Sequence, residues 1–379
     1  MSDHFSFRNR DPYAGINWQK TCRIMGCTHL HCTDNAALQK LFADGLEFVT
    51  LSNYHPSAPW YPLHKMRKNQ FQCRQKGYTF NGVYHDEEVD FSEKIMQWRD
   101  SLAPEFQSQL PFTAGEAAFS GIPENILEAP NAEHHSFTNA VPQLHITAPG
   151  TTFVSGHFDD RADNFGLAER GFACGTGLTW QEGFKRILDT LVIPDGGGII
   201  INHPAWSYLR QDFLIEMLDN DPRVLGLEVY NGTGRKTYAD FSDPLWDAVL
   251  ATGRQCYGFC AVDHLKNNAW NGRIVILAAE RSAAGCLRAL RQGQFYGMIR
   301  GSGAAFEEIT FDGRTLRARC NREMYFQLIS KTGIAGQGNG REFFFTVPEN
   351  ERGRHVFLRL TAHEFSTREK LFAQPVMLV

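Results

Sequence analysis

An alternation of short apolar runs with amphipathic segments through the middle of the chain constrains the fold most. Three runs have the apolar character of buried strands, "GGGIIINHP", "VLGLEVYNG" and "QCYGFCAVDHL". Between them, "FLIEMLDN" and "PLWDAVLATG" space their apolar residues as helices do. Regular alternation of strand and helix is typical of a parallel α/β sheet or barrel. The sequence therefore predicts the α/β fold class.

The pattern changes after Gly301. Strand-like runs such as "REFFFTVPEN" and "RHVFLRLTAHEF" follow one another with Gly, Asn and Pro between them, and helical spacing is absent. We expect an α/β sheet or barrel domain over residues 1–300 and a small sandwich-like β domain of short strands over residues 301–379. The polar and basic residues 60–90 are interpreted as an insertion or lid.

Polar residues recur where the predicted strands end. His29 and His31 in "THLH" are two positions apart, so on a strand they project side by side. Imidazole and carboxylate groups are common ligands of divalent metals, and barrel enzymes collect their chemistry at the strand ends. The pattern predicts a metal site built from His29, His31, Glu116, His145, His203 and Asp263 with His264 beside it.

The ordered series "THLH", "AGEAAF", "QLHIT", "INHP", "LEVYNG" and "AVDH" resembles the PHP superfamily, named for polymerase and histidinol phosphatase domains. The phrases "LEVYNG", "ALRQGQFYG" and "AQPVMLV" are similar to its metal-dependent phosphoesterase branch. The resemblance covers nearly the whole chain. It implies a distorted (β/α)7 barrel with a small C-terminal β domain, and hydrolysis of phosphate esters by a metal-bound hydroxide.

The resemblance also implies a ligand set. His29, His31 and Asp263 would bind a first metal, and Glu116 would bridge to a second metal that His145 and His203 hold. A bridging carboxylate lets two dications lie roughly 3.5–4 Å apart. This mixture of nitrogen and oxygen donors suits zinc, manganese or iron. Asp263 and His264 are the predicted catalytic pair.

Two departures from the family pattern matter. Ser52-Asn53-Tyr54 stands where the family usually has Thr-Asp-His, so we expect two metals and not three, with Tyr54 in a catalytic role as a hydrogen-bond donor to the substrate. Asp263 and His264 are adjacent, whereas the family separates the two by one residue. On a regular strand they would point to opposite faces unless a bulge turns one of them.

Several polar residues keep two interpretations. Asn231, with Glu228, ends a strand and could contact substrate or only stabilise a turn. Arg67 could bind a phosphate or belong to a solvated basic loop. His134 and His135 are interpreted as surface residues.

Composition narrows the function further. The net charge is -4, and nine cysteines show no CxxC pair, which favours reduced thiols in a cytoplasm. The polar start "MSDHFSFRNR" has no apolar signal region, so we expect no membrane partner.

The resemblance implies the substrate class. The expected substrate is a small phosphate ester or a nucleotide end, and a nucleic-acid substrate stays open. The alternatives are a non-catalytic metal-stabilised binding protein, and a hydrolase of a non-phosphate ester or carbamate.

Overall fold

A computed structural model describes most of the chain. The described residues are 10–32, 34–52, 61–65, 78–80, 83–85, 117–141, 143–153, 157–158, 172–173, 176–232, 241–265, 271–301, 303–351 and 353–378. Among the predicted site residues, Tyr54, Arg67 and Glu116 lie outside these ranges, as does most of the predicted lid. None of the helices in the described ranges has the length and apolar character that a membrane span needs.

The described helices are short, and three of the five begin at a side-chain cap. The side chains of Asp34, Thr179 and Ser282 each accept a hydrogen bond from the backbone N–H three residues later, which satisfies a donor that the first helical turn leaves open. The helices are α1 Asn35–Ala43, α2 Trp180–Leu188, α3 Gln211–Asn220, α4 Asp243–Leu250 and α5 Ala283–Gln292.

Strands predominate in the described residues. In chain order they are β1 Cys22–Cys27, β2 Leu30–His31, β3 Phe48–Val49, β4 Tyr78–Phe80, β5 Val83–His85, β6 Leu127–Glu128, β7 Glu133–His134, β8 Ile146–Thr147, β9 His157–Phe158, β10 Phe172–Ala173, β11 Ile199–Ile201, β12 Val224–Asn231, β13 Tyr257–Ala261, β14 Asp263–His264, β15 Gly272–Ala278, β16 Phe295–Ile299, β17 Phe306–Phe311, β18 Thr315–Ser330, β19 Gly333–Thr346, β20 Phe357–Glu364, β21 Glu369–Ala373 and β22 Val376–Met377. The predicted mixed α/β class is confirmed.

The chain divides into two compact units. The first unit contains Met1–Cys27 and Asp195–Val379, and the second unit contains Thr28–Pro194. Within either unit, the described strands form open sheets. The boundary near residue 300 stays a prediction.

The first unit contains the alternating segment. Strands β11, β12 and β13 pair in parallel, with α3 and α4 as the connections between them. Every residue of the three strands is buried, as expected of parallel strands covered on both faces. The predicted site residues at the ends of these strands therefore lie at the same edge of the sheet.

A second, antiparallel sheet completes the first unit. Its strands lie in the order β17-β18-β20-β21-β16-β15-β1, and β19 pairs with the other side of β18. Strand β15 is a fully buried run that the sequence interpretation did not assign. Aromatic and aliphatic side chains of β16, β17, β18 and β20 pack together as its core.

Two of the C-terminal strands are longer than predicted. Strand β18 has 16 residues and β19 has 14, whereas the sequence predicted short strands throughout. Strand β18 pairs with β17 through its first half and with β20 through its second half, and its register to β19 shifts between Arg319 and Met324. Residues 321–323 at this shift are polar, as in many turns, but strand β18 continues through them.

The second unit is assembled from short elements. Strand β3 pairs in parallel with β6, and β7 pairs antiparallel with β8. Helix α2 buries an aromatic cluster in which the ring of Phe184 lies 5.3 Å from Trp180 and 5.8 Å from Phe137. Strand β7 carries Glu133, and His145 lies just before β8; both residues belong to the site described below.

Gly293 ends helix α5 in the left-handed conformation, with φ +72°, and a Cβ there would lie 2.3 Å from the ring of buried Tyr257. Gly293→Ala should lower the free energy of unfolding by about 2–4 kcal/mol, because backbone strain and steric overlap add. Gly313 is the control, since its φ is +90° and a Cβ meets nothing within 4 Å. Gly313→Ala should cost about 1–2 kcal/mol from strain alone. Equal losses in urea unfolding would contradict the predicted overlap with Tyr257.

Candidate metal centre

Three imidazoles surround one buried carboxylate in the second unit. The Nε2 atoms of His29 and His31 are 3.1 Å apart. The carboxylate of Glu133 lies 3.4 Å from Nε2 of His29, 3.0 Å from Nε2 of His31 and 3.0 Å from Nδ1 of His145. We name these four residues the histidine–glutamate cluster. Glu133 directs one oxygen to His29 and His145 and the other to His31.

Backbone hydrogen bonds through Ser52 place β2 beside β7. The hydroxyl of Ser52 accepts from the N–H of Leu30 at 2.9 Å, and its own N–H donates to the Leu30 carbonyl at 3.0 Å. The carbonyl of Ser52 then accepts from the N–H of Glu133 at 2.8 Å. Ser52 therefore holds the His29–His31 segment and Glu133 on its two sides.

The buried side chain of Asn131 ties the strand ends together. Its amide group donates to the carbonyls of Thr28 at 2.9 Å and Thr50 at 3.1 Å. Its carbonyl oxygen accepts from the N–H of Ala148 at 2.9 Å. Thr28 precedes His29, and Ala148 follows strand β8, which begins just after His145. One amide side chain thus sets the spacing of the segments that carry the ligands.

The geometry of the cluster fits a divalent cation. Two ligands at about 2.0–2.1 Å from a tetrahedral zinc are about 3.3 Å from each other. The three distances that join His29, His31 and Glu133 fall around that value, and their ligand atoms all lie within 4.8 Å of one another. Imidazole nitrogens and a carboxylate suit zinc, manganese or iron.

The burial of the cluster favours a bound cation. His29 is fully buried and the Glu133 side chain is 2% exposed. A carboxylate taken out of water needs hydrogen bonds or positive charge to offset its lost hydration. The His145 side chain, 19% exposed, leaves solvent access to one side of the cluster.

His134 and His135, predicted as surface residues, are buried. Burial lowers the pKa of each imidazole to about 3, and the neighbouring His145 adds to the effect on His135. The ring of His135 lies 5.5 Å from that of His145, and its Nδ1 is 2.9 Å from the hydroxyl of Ser136. Both imidazoles are therefore neutral at pH 7, and His135 is a neighbour of the cluster and not a surface residue.

The first unit has its own group of predicted site residues, which we name the strand-end cluster. Nε2 of His203 lies 4.0 Å from the carboxylate of Asp263, and Nε2 of His264 lies 3.7 Å from it. Asp263 has a φ of +62°, which turns the backbone so that these adjacent side chains reach each other. The His264 side chain is 49% exposed, whereas Asp263 is buried.

Polar contacts hold His203 in place. Its Nδ1 lies 2.9 Å from the hydroxyl of Ser207, which directs Nε2 toward Asp263. The buried carboxylate of Glu228 accepts from the His203 N–H and from the Asn231 amide, each at 2.8 Å. Glu228 and Asn231 thus support the backbone at His203, and a substrate contact for Asn231 stays a prediction.

His203 and Asp263 both have positive φ values, which non-glycine residues seldom adopt. Such strain is concentrated at functional sites, where surrounding contacts maintain it. This observation supports a functional role for the strand-end cluster.

Sequence reasoning missed Glu133. It lies in "PNAEHHSF", a polar stretch in which β7 is only two residues long, so no apolar periodicity marks it. The usable signal was the triplet Glu133-His134-His135 itself. Glu116, the predicted bridging carboxylate, lies outside the described ranges, and the ligand roles of His29, His31, His145, His203 and Asp263 stay predictions.

Comparison with known proteins assigns no family to this chain. No protein-family model matches the chain, and no curated protein matches it. A solved two-domain protein from Bacteroides vulgatus ATCC 8482, containing a predicted PHP-like metal-dependent phosphoesterase, is similar over 89% of this chain and 87% of that chain. The two are 12% identical with a TM-score of 0.39. A likeness this low carries no argument, so the site rests on its own geometry.

Asn131→Ala should lower the free energy of unfolding by about 2–4 kcal/mol, because two buried carbonyls and one buried N–H lose their partner. It should also weaken metal retention, since the strand ends lose their common support. The control is Asn35→Ala, because Asn35 exchanges two hydrogen bonds with Ser120 at an exposed position. That change should cost less than about 1 kcal/mol. Similar unfolding midpoints for both variants would exclude the proposed support role.

Proposed function

We propose that this chain is a metal-dependent hydrolase that acts on phosphate esters. The observation that carries the proposal is the convergence of two imidazole nitrogens and a carboxylate, with a third imidazole beside them, in the histidine–glutamate cluster. A divalent cation would let the imidazole nitrogens and the carboxylate oxygens share one partner at the centre of the cluster.

The residues of the cluster have distinct tasks in this proposal. His29 and His31 hold a cation through Nε2. Glu133 would bridge from that cation towards His145, because its Oε2 lies 3.0 Å from Nε2 of His31 and its Oε1 lies 3.0 Å from Nδ1 of His145. His145 marks the side that solvent reaches. A divalent metal held here would lower the pKa of a bound water and offset negative charge on a phosphate. The buried surroundings strengthen these electrostatic effects by excluding bulk water.

The finer parts of the proposal come from the sequence resemblance. They are a distorted (β/α)7 barrel, two metal ions of the zinc, manganese or iron type, and a small phosphate ester or nucleotide end as substrate. The metal-ligand roles of His203 and Asp263 belong to the same proposal, as do catalytic roles for Asp263, His264 and Tyr54 and substrate contacts for Asn231 and Arg67. We assign the bridging carboxylate to Glu133 on its position, and Glu116 becomes the competing candidate.

Removing the paired imidazoles should remove metal. His29→Ala combined with His31→Ala should lose about one metal equivalent per chain and nearly all hydrolysis, because both nitrogen donors of one cation disappear. Mass-spectrometric metal analysis of protein purified without chelator measures the content. His64→Ala is the control, since His64 is an exposed imidazole outside the cluster. Full metal content in the double variant overturns the assignment of this cluster.

The same substitution at Glu133 and at Glu116 shows which carboxylate bridges. Glu133→Gln keeps the size of the side chain but removes its charge, so metal content should fall and activity should drop at least about a hundredfold. Glu116→Gln should leave both unchanged. The opposite result would return the bridging role to Glu116.

A substrate panel tests the reaction class. The wild-type chain with added manganese or zinc should hydrolyse p-nitrophenyl phosphate or bis-p-nitrophenyl phosphate, and a chelator should abolish that activity. Turnover of p-nitrophenyl acetate or a carbamate without any phosphate ester would assign the site to a non-phosphate hydrolase. Metal binding without turnover of any substrate would favour a metal-stabilised binding protein.

A further inference from the structure

An exposed aromatic surface stands on the antiparallel sheet of the first unit. The ring of Tyr325 on β18 lies 5.5 Å from the ring of Phe365, with their planes inclined by 38°. The imidazole of His363 on β20 stacks beside Phe365 at 6.0 Å and 24°. Phe365 is 69% exposed. We name Tyr325, His363 and Phe365 the aromatic platform.

Hydrogen bonds to one carboxylate hold the turn that presents Phe365. The carboxylate of Glu364 accepts hydrogen bonds from the N–H and hydroxyl of Ser366 at 3.1 and 2.6 Å, and from those of Thr367 at 3.1 and 2.9 Å. The side-chain hydrogen bonds from Ser366 and Thr367 hold the pKa of Glu364 at about 2. A large apolar side chain is thus kept in solvent by an ordered turn, where its exposure brings no stability to the fold.

Neutral polar groups border the aromatic platform. In the strand register Asn339 lies directly opposite Tyr325, and Gln337 lies opposite Gln327. Residues paired in this way share a face of the sheet. The hydroxyl of Tyr325 donates to the Gln337 side chain at 2.8 Å. Amide side chains offer both donors and acceptors, so they can serve adjacent hydroxyl groups of a ligand.

The platform carries no formal charge at neutral pH. Burial lowers the pKa of His363 to about 4, and the charge of Lys370 contributes. The Lys370 ammonium lies 3.6 Å from Asp243 and 4.3 Å from the centre of the Phe372 ring, so its charge is turned to those partners. An anionic ligand finds no free cation within the platform itself.

From this juxtaposition we propose that the aromatic platform, with Gln337 and Asn339 beside it, binds a neutral carbohydrate. The faces of aromatic rings carry partial negative charge and attract the weakly positive C–H groups of a sugar ring. The amides can pair with the hydroxyl groups around that ring. A purely apolar protein partner would leave these amides without hydrogen bonds when it covered them, and that carries a cost. The proposal is independent of the hydrolase activity.

Affinity electrophoresis of the full chain tests the proposal, with gels that contain amylose, hydroxyethylcellulose or xylan. Wild-type protein should be retarded by at least one of the three polymers. Phe365→Ala and Tyr325→Ala should each weaken that retardation about tenfold or more, because they remove a stacking surface. Phe344→Ala is the matched control, since Phe344 is also 69% exposed on the same sheet but lies outside the platform. It should migrate as the wild type does.

Three results would overturn the proposal. In the first, none of the polymers retards the wild type; in the second, Phe365→Ala is retarded as strongly as the wild type. In the third, the control Phe344→Ala loses as much retardation as Phe365→Ala. A Phe365-dependent dimer seen by size-exclusion chromatography, with no retardation by polymer, would assign the surface to protein contact instead. Hydrolysis of p-nitrophenyl phosphate by each variant, measured in parallel, should equal that of the wild type.

Discussion

The burial of the Glu133 carboxylate among imidazoles is the constraint on which the rest of the site depends. A carboxylate in this position loses its hydration, and only hydrogen-bond donors or positive charge can offset that loss. His29, His31 and His145 surround it within 3.4 Å. A cation shared by the imidazole nitrogens and the carboxylate would supply the positive charge that offsets this loss. The chemistry proposed for the chain follows from that requirement.

The backbone around the histidine–glutamate cluster is held in place by side chains that are not members of the cluster. Ser52 bonds the backbone of Leu30, and Asn131 bonds the backbone beside His29 and at Ala148. Strands β2, β7 and β8 have two residues each, so ladder pairing alone cannot hold them. In the first unit, by contrast, the fully buried parallel strands β11, β12 and β13 position His203 and Asp263 through regular pairing.

The sequence predicts the parts of the structure in which apolar or polar residues recur at a regular spacing. Alternating apolar strands and helices mark β11 to β13 with α3 and α4, and the two-residue spacing of His29 and His31 agrees with Nε2 atoms 3.1 Å apart. Glu133 was missed because its position is set by tertiary hydrogen bonds and not by a local sequence pattern. Strand β15 was missed although its apolar run is as clear as the others. The length of β18 depends on a change of partner strand, which no local pattern encodes.

The first unit is composed of residues from both sides of the second unit in the sequence. The hydroxyl of Tyr13 donates to the carbonyl of Phe295, 282 positions away, and accepts from the N–H of Gln374, 361 positions away. Contacts this distant in sequence are slow to form because loop closure precedes any gain from them. On the ribosome, β1 cannot pair with β15 until residues 272–278 have been made, and the whole second unit is synthesised in between. Vectorial synthesis therefore favours an order in which the inserted unit folds first and the unit that surrounds it in sequence closes last.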